Sequence, residues 1–346
     1  MRASIIGCGQ IAKEHLSVIG RDASIDLAGV CDLSPITAEY TAETYGTKPF
    51  TDHREMLDVV RPDVVHVLTP PASHRPIVLD VLEAGTHVIC EKPIAVHAGE
   101  LDGMLDAAEK HGRVLMESQN VRFNDQTLAI ERLIANGTLG DVTDVEVLVA
   151  LDLPNSRFAD ENLSSPVRGL AGGAIHDFLP HLAYLALHFF GYVEAEAVHA
   201  RWWNVSGIDV LGYDELLATI AFGAGAATLR FSSHVKPDAF RLIVRGTDAT
   251  VETDMYNPYF RVDKRRGPAP LSPIFNHAAN GVSLATNSAR NLRDKLLDRH
   301  TTYHGLGRML ERFYASIRLG QQPPITPLEM RRTSSLVDAI VEQAGA

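Results

Sequence analysis

Short apolar runs alternate with helical spacings through the first third of the chain. Arg2 to Ile6, Ile25 to Cys31, Lys48 to Phe50, Val64 to Leu68, Thr86 to Cys90 and Arg113 to Met116 read as strands. Most are apolar on both faces, as the strands of a parallel sheet covered on both sides must be. Helical patterns fall between them, at Ile11 to Ile19, Ile36 to Tyr45, His53 to Val60, His74 to Ala84 and Gly99 to His111. This βα rhythm predicts a doubly wound parallel sheet, and it stops near Ser118. The expected domains are therefore 1–118 and 119–346.

The second part has a different period. A helix is predicted from Gln126 to Ala135, stopped by Asn136-Gly137, followed by an alternating strand from Val142 to Ala150. A polar loop from Leu153 to Arg168 leads to Gly172-Gly173 and to an apolar helix ending at Phe190. Pro180 is tolerated only in the first turn, so that helix is expected to start close to Asp177, which places Asp177 and His181 on one face. The two glycines are expected to leave the chain room to pass a bound ligand. From Ala195 to Trp203, Glu215 to Phe222, Ala226 to Ser233, Phe240 to Arg245 and Ala249 to Glu252 the pattern alternates, which predicts an antiparallel meander. The whole reads as α/β: a parallel N-terminal sheet and a C-terminal α+β domain on a large, mainly antiparallel sheet. Such a sheet needs both faces covered, so a homodimer or homotetramer through its second face is expected. Asn257 to Arg299, with four prolines followed by polar residues, reads as a long excursion bordering the site or the interface, and helices from Gly305 to Arg318 and Pro327 to Glu342 close the chain.

Composition changes this picture little. The 346 residues are 45% hydrophobic, enough for two packed domains, and the net charge of −11 contains no basic block, which argues against a nucleic-acid partner. No apolar stretch at the start is long enough for a signal or a spanning helix, so a cytoplasmic protein without membrane contact is expected. Cys8, Cys31 and Cys90 lack metal-ligand spacing, and no metal site is predicted.

The chemistry is carried by residues at the predicted strand ends. Gly7-Cys8-Gly9-Gln10-Ile11-Ala12 follows the first strand and opens the first helix, a dinucleotide fingerprint in its proper setting. The first glycine allows the turn, the second lets a pyrophosphate approach, and Ala12 keeps the helix close. Gly7, Gly9, Gln10, Ile11 and Ala12 are thus candidate cofactor contacts. Asp32 ends the second strand, where a carboxylate accepts from ribose hydroxyls or else caps the turn before Ser34-Pro35. No guanidinium follows it to hold a 2′-phosphate, which favours NAD over NADP. Thr69-Pro70, His74 and Glu91-Lys92 border the same crevice, with Ser73 a candidate helix cap. An imidazole can take a hydroxyl proton at neutral pH, and an ammonium can stabilise the resulting alkoxide.

Taken together, Gly7-x-Gly9-x-x-Ala12, Thr69-Pro70 with His74, Glu91-Lys92-Pro93, Arg122-Phe123, Gly172-Gly173 with Asp177 and His181, and Tyr303-His304-Gly305 resemble the Gfo/Idh/MocA oxidoreductase family. The resemblance implies a Rossmann domain, an α+β substrate domain, and nicotinamide-dependent hydride transfer at a secondary alcohol or ketone of a sugar, inositol or polyol. It implies that Lys92, Asp177 and His181 meet over the nicotinamide. His181 is then the general base, Lys92 a donor to the reacting oxygen, and Asp177 an anchor for a neighbouring hydroxyl. Arg122 lines the sugar site or forms a salt bridge at the domain boundary; His176 is a second ligand contact or a packed histidine. Two other readings share these residues: an enzyme that recycles tightly bound NAD within each turnover, and a non-catalytic NAD-binding regulator.

Overall fold

The computed structural model describes residues 1–160, 169–296 and 303–345. The ends of the predicted loop and excursion, Arg168 and Arg299, lie outside the described residues. The chain divides into two compact units, Met1–Asn120 with Gly305–Ser335, and Val121–His304 with Leu336–Ala346.

In the first unit, β1 (Arg2–Ile6), β2 (Asp26–Cys31), β3 (Pro49–Phe50), β4 (Val64–Val67), β5 (His87–Cys90) and β6 (Leu115–Glu117) form one parallel sheet in the order β3-β2-β1-β4-β5-β6. The order reverses between β1 and β4, and ligands of open α/β sheets bind at such a switch point, beyond the carboxyl ends of the strands. Helices α1 (Gln10–Ile19), α2 (Pro35–Tyr45), α3 (His53–Val60), α4 (His74–Glu83) and α5 (Ala98–Lys110) connect the strands, within a residue or two of the expected bounds. Asp52 caps α3 by accepting from the Arg54 and Glu55 amides, and Ser34 caps α2. Ser73 does not cap α4; its hydroxyl bonds Thr69 Oγ1 at 2.9 Å and the Pro70 carbonyl at 2.7 Å, bracing the turn after β4 instead.

The expected second domain, 119–346, includes Gly305–Ser335, which packs into the first unit. Met309, Phe313 and Tyr314 of a helix α9 (His304–Leu319) and Met330 of α10 (Pro327–Gly345) are fully buried. Burial of these side chains, each worth about 1.5–3 kcal/mol, outweighs sequence distance.

The second unit holds α6 (Asp125–Ala135), β7 (Val142–Ala150), α7 (Leu179–Phe189) and β8 (Ala197–Trp203), β9 (Glu215–Phe222), β10 (Gly225–Ser232), β11 (Ala239–Gly246), β12 (Ala249–Asp254) and β13 (Phe260–Lys264). The sheet order is β13-β12-β11-β7-β10-β9-β8, so the expected meander is interrupted. The β7 strand enters between β10 and β11, parallel to the former and antiparallel to the latter. Alternation sets which side chains face the core, but it does not determine which strand is the neighbour. Fully buried Leu179, Leu182, Tyr184 and Leu185 of α7 join Val147, Leu229 and Leu242 of the sheet in one core. The other face carries ion pairs of Arg245 with Asp144 and Glu146, and of Arg261 with Asp263.

The excursion after Asn257 also differs from expectation. It contains β13 and a 25-residue helix, α8 (Ser272–Leu296). The side of α8 turned to β13 is polar. Asn280 accepts the Val262 amide at 3.1 Å, Asn276 donates to the Lys264 carbonyl at 2.9 Å, Ser283 donates to the Phe260 carbonyl at 2.8 Å, and Asn291 donates to the Pro258 carbonyl at 2.6 Å. Spaced four, three and eight residues apart on one side of the helix, these side chains satisfy backbone groups at the outer edge of the sheet as another strand would. The apolar residues Ile274, Val282, Leu292 and Leu296 point outward instead.

Candidate active site

At the end of β1 the backbone turns through Gly7, whose φ is +94°. A Cβ there would lie 2.8 Å from the Leu68 carbonyl group and 2.9 Å from the Thr69 nitrogen, so the end of β4 leaves room only for glycine. Gly9 is different. It precedes α1 in extended backbone, provides no side-chain cap, and a Cβ there would meet nothing within 4 Å. The first amides of α1, those of Gln10, Ile11 and Ala12, have no capping side chain, and the space beside Gly9 is open, an arrangement suited to an anion. A dinucleotide pyrophosphate fits this cradle.

We expect Gly7→Ala and Gly9→Ala to separate. The first should cost on the order of 1–3 kcal/mol of unfolding stability through backbone strain. The second should leave the melting temperature unchanged but weaken NAD binding, as titration of bound nucleotide would report. Equal effects of the two on stability would contradict the geometry.

Asp32 receives the Cys8 amide at 2.9 Å on one oxygen and the Ser34 amide at 2.9 Å on the other. It therefore caps the turn, and its carboxylate keeps lone pairs for further donors. Burial, with Asp32 nearby, pushes the Cys8 thiol up to about 11, and Cys8, Cys31 and Cys90 are buried free thiols. Thr69 and Pro70 follow β4. His74 is fully buried between two turns, with Nε2 2.7 Å from the Thr69 carbonyl and Nδ1 3.0 Å from the Pro93 carbonyl, two acceptors of which a neutral ring donates to one. Burial lowers its pKa against the pull of both carbonyls and of Glu91. His74 thus couples the two strand-end turns from inside.

The turn that carries Lys92 is held by Glu91, a predicted crevice residue, and by Glu117, which the sequence did not point to. The Lys92 amide donates to Glu91 Oε2 at 3.2 Å, and the Ile94 amide to Glu117 Oε1 at 3.0 Å. Glu91 and Glu117 are both buried. Burial raises the Glu91 pKa, but the hydrogen bond from His15, with Lys92 and Ser118, more than reverses this, and the carboxyl sits below its ordinary 4.5. Glu117 moves up, because burial and the nearby Glu91 outweigh its bonds to Gln119 and Ile94 and the charge of Lys92. One signal was available: a carboxylate closing an apolar strand, as Glu117 does in Leu115-Met116-Glu117, has to be paired with something.

In the second unit, Asp177 ends a 3-10 turn (Gly173–Asp177) and His181 lies in the first turn of α7, which begins at Leu179 with Pro180 in its first turn. The two do not share one α-helix, contrary to expectation, yet both side chains are partly exposed. His181 Nδ1 is 2.6 Å from the hydroxyl of buried Tyr184. His176 is buried. The room left by Gly172 and Gly173 is filled by the protein: a Cβ at Gly172 would meet the Trp202 ring at 2.6 Å, and one at Gly173 the Leu211 carbonyl at 2.3 Å. Packing, not ligand passage, accounts for both glycines. The Arg122 guanidinium lies against the rings of Phe123 and Tyr192, 5.8 and 5.3 Å from their centroids.

His66, His74 and His87 have pKa values lowered below 6.5, chiefly through burial. They stay neutral in the native state while the unfolded chain takes up protons, so stability is lost as pH falls below 6.5. The raised Glu117 opposes this between 4.5 and its own raised pKa. A melting temperature that falls between about pH 7 and pH 5.5 is the expected result, and a flat profile would contradict neutral burial.

A parallel sheet in this order, with an uncapped glycine-led helix at its switch point, defines a protein of the dinucleotide-binding class. Residues 1–119 match the description "Oxidoreductase family, NAD-binding Rossmann fold", and residues 127–252 match the "GFO/IDH/MocA C-terminal domain". The chain belongs to the Gfo/Idh/MocA oxidoreductase family. It is 31% identical over 312 residues to a D-glucoside 3-dehydrogenase of Escherichia coli, covering 85% of this chain and 83% of the relative. It is 25% identical over 300 residues to a dTDP-3,4-didehydro-2,6-dideoxy-alpha-D-glucose 3-reductase of Streptomyces violaceoruber, covering 84% and 85%. Among solved structures, the fold is similar to that of the WlbA dehydrogenase from Bordetella pertussis in complex with NADH and UDP-GlcNAcA. The TM-score is 0.80 at 20% identity, over 100% of this chain and 95% of the other.

Proposed function

We propose that the protein is an NAD-dependent dehydrogenase or reductase of a secondary hydroxyl on a pyranoside, with the C3 position of a glucoside the first candidate. The observation that carries this reading is the uncapped α1 N-terminus behind Gly9, an anion cradle at the switch point of the parallel sheet. The relatives' names, a glucoside 3-dehydrogenase and a deoxyhexose 3-reductase, support the substrate class and position.

A bound nicotinamide would supply the acceptor or donor of hydride for the carbinol carbon. The chain's own residues handle the proton and the charge. His181 takes the hydroxyl proton at Nε2, its Nδ1–H donating to the Tyr184 oxygen and so holding the ring. Lys92 donates to the same substrate oxygen, stabilising alkoxide character during oxidation and polarising the carbonyl during reduction. Asp177 accepts from a neighbouring hydroxyl. Asp32 accepts from the adenosine ribose, and with exposed Leu33 and Ser34 beside it offers nothing to a 2′-phosphate, which favours NAD.

The test is NADH absorbance on mixing the protein with NAD and a panel of methyl glucosides, inositols and nucleotide sugars. Turnover with a glucoside, at higher kcat/KM for NAD than for NADP, is expected. NAD binding without turnover across the panel would sink the net dehydrogenase reading and favour internal recycling of the cofactor.

A further inference from the structure

We propose that Tyr314, His66 and His15 are positioning residues for the Lys92 turn: they form a one-way hydrogen-bond chain that begins at the Tyr314 hydroxyl and ends on the carboxylate of Glu91. It rests on the reading above for the role of Lys92, but its geometry lies wholly in the first unit. The links are Tyr314 Oη to His66 Nε2 at 2.7 Å, His66 Nδ1 to His15 Nδ1 at 2.8 Å, and His15 Nε2 to Glu91 Oε1 at 3.2 Å. All four residues are buried.

The direction of the chain follows from counting protons. Tyr314 is fully buried, and among the described residues His66 Nε2 is its one hydrogen-bond partner. A buried hydroxyl left without an acceptor is costly, so the phenol donates and His66 Nε2 accepts. The proton of His66 is then on Nδ1. Two imidazole nitrogens 2.8 Å apart share a single hydrogen, so His15 Nδ1 accepts and His15 carries its own proton on Nε2, directed at Glu91. Burial, with His15 alongside, holds His66 well below 6.5 and so keeps it neutral, while burial pushes the Tyr314 phenol up and keeps it a donor. Each link turns its donor toward the carboxylate, which is the arrangement that favours its ionised form.

The consequence reaches Lys92 through the backbone. Glu91 Oε1 takes the end of the chain and Oε2 takes the Lys92 amide, so the charge and orientation of one buried carboxylate set the position of the residue proposed to contact substrate. The ionisable groups that face Glu91 are His15 of α1, Cys90 and Lys92 beside it, Glu117 of β6 and His74 of α4. Of these, His15 and Lys92 favour the ionised form of Glu91, whose charge in turn raises Cys90 and Glu117. A displacement of the reacting groups by as little as 1 Å can cost about 100-fold in rate, so a structure this far from the chemistry can still matter to it.

Two measurements test the proposal. The first needs no activity: nitrogen-15 spectra of histidine-labelled protein, with His15 and His66 assigned through His15→Gln and His66→Gln. We expect His66 neutral with its proton on Nδ1 and His15 with its proton on Nε2. Either ring in the opposite tautomer, or His66 charged at neutral pH, would overturn the chain whatever the enzyme does. The second is the pH profile of kcat/KM in the reduction direction, in which His181 donates the proton and produces no acid limb. His15→Leu should lower kcat/KM by up to about 100-fold, leave NAD binding unchanged and move the acid limb to higher pH, because Glu91 then loses its His15 donor and burial is opposed chiefly by Lys92. His15→Gln, which keeps an N–H near the place of Nε2, should restore both. Tyr314→Phe keeps the aromatic packing and removes the first donor, so it should shift the limb in the same direction by less. Loss of rate without any shift of the limb in His15→Leu and Tyr314→Phe would mean a packing role only. Absence of turnover in the parent protein would refute the dehydrogenase reading, and the spectra would still decide the chain.

Discussion

Replacing Lys92 by alanine is expected to lower kcat/KM for the alcohol by about 10²- to 10³-fold, the usual cost of removing one donor from a developing oxyanion. The turn that presents Lys92 is anchored by buried Glu91, Glu117 and His74, so the variant should fold and melt like the parent. Lys92→Arg should not rescue it, because a planar fork does not occupy the place of a compact ammonium. The decisive comparison is single-turnover hydride transfer with saturating NAD, where the loss should appear in the chemical step. An unchanged rate in Lys92→Ala would remove Lys92 from the mechanism and return weight to an NAD-binding regulator.

The second large effect is expected at His181. His181→Asn should lose about 10²- to 10⁴-fold in kcat/KM, the contribution typical of a positioned general base. It should also abolish the acid limb of the oxidation profile, since the group that must be deprotonated is gone. Tyr184→Phe, which removes the 2.6 Å partner of Nδ1 but not the imidazole, should lose less and retain the limb. A His181→Asn enzyme that keeps the acid limb of the parent would assign that limb, and the base, to another residue.

Much of this protein can be read along the chain because its signals are local. The βα rhythm to Met116 predicts the parallel sheet, since each strand and helix is specified by its own few residues. The glycine turn at Gly7 and Gly9 is legible because it follows a strand and opens a helix within six residues. Val142–Ala150 and Glu215–Phe222 have the predicted bounds, since strict alternation leaves little freedom at their ends. The uncapped α1 helix and the placement of Asp32, Thr69 and Lys92 after strands follow from the same local rules.

What tertiary structure alone decides are the partnerships between distant segments. Nothing in the spacing of β7 specifies that it enters between β10 and β11, because register and neighbour are settled by packing over the α7 core. The α8 helix was missed for a related reason: its inward side is Asn276, Asn280, Ser283 and Asn291, whose partners are backbone groups of β13 and of Pro258 just before it, so hydrophobic periodicity points the wrong way. Gly172 and Gly173 suggest space for a ligand until Trp202 and Leu211 fill it. The link from His66 to Tyr314 joins residues 248 positions apart. Each of its members is an unremarkable residue in its own element, and only burial together, where every donor must find an acceptor, makes them a chain directed at Glu91.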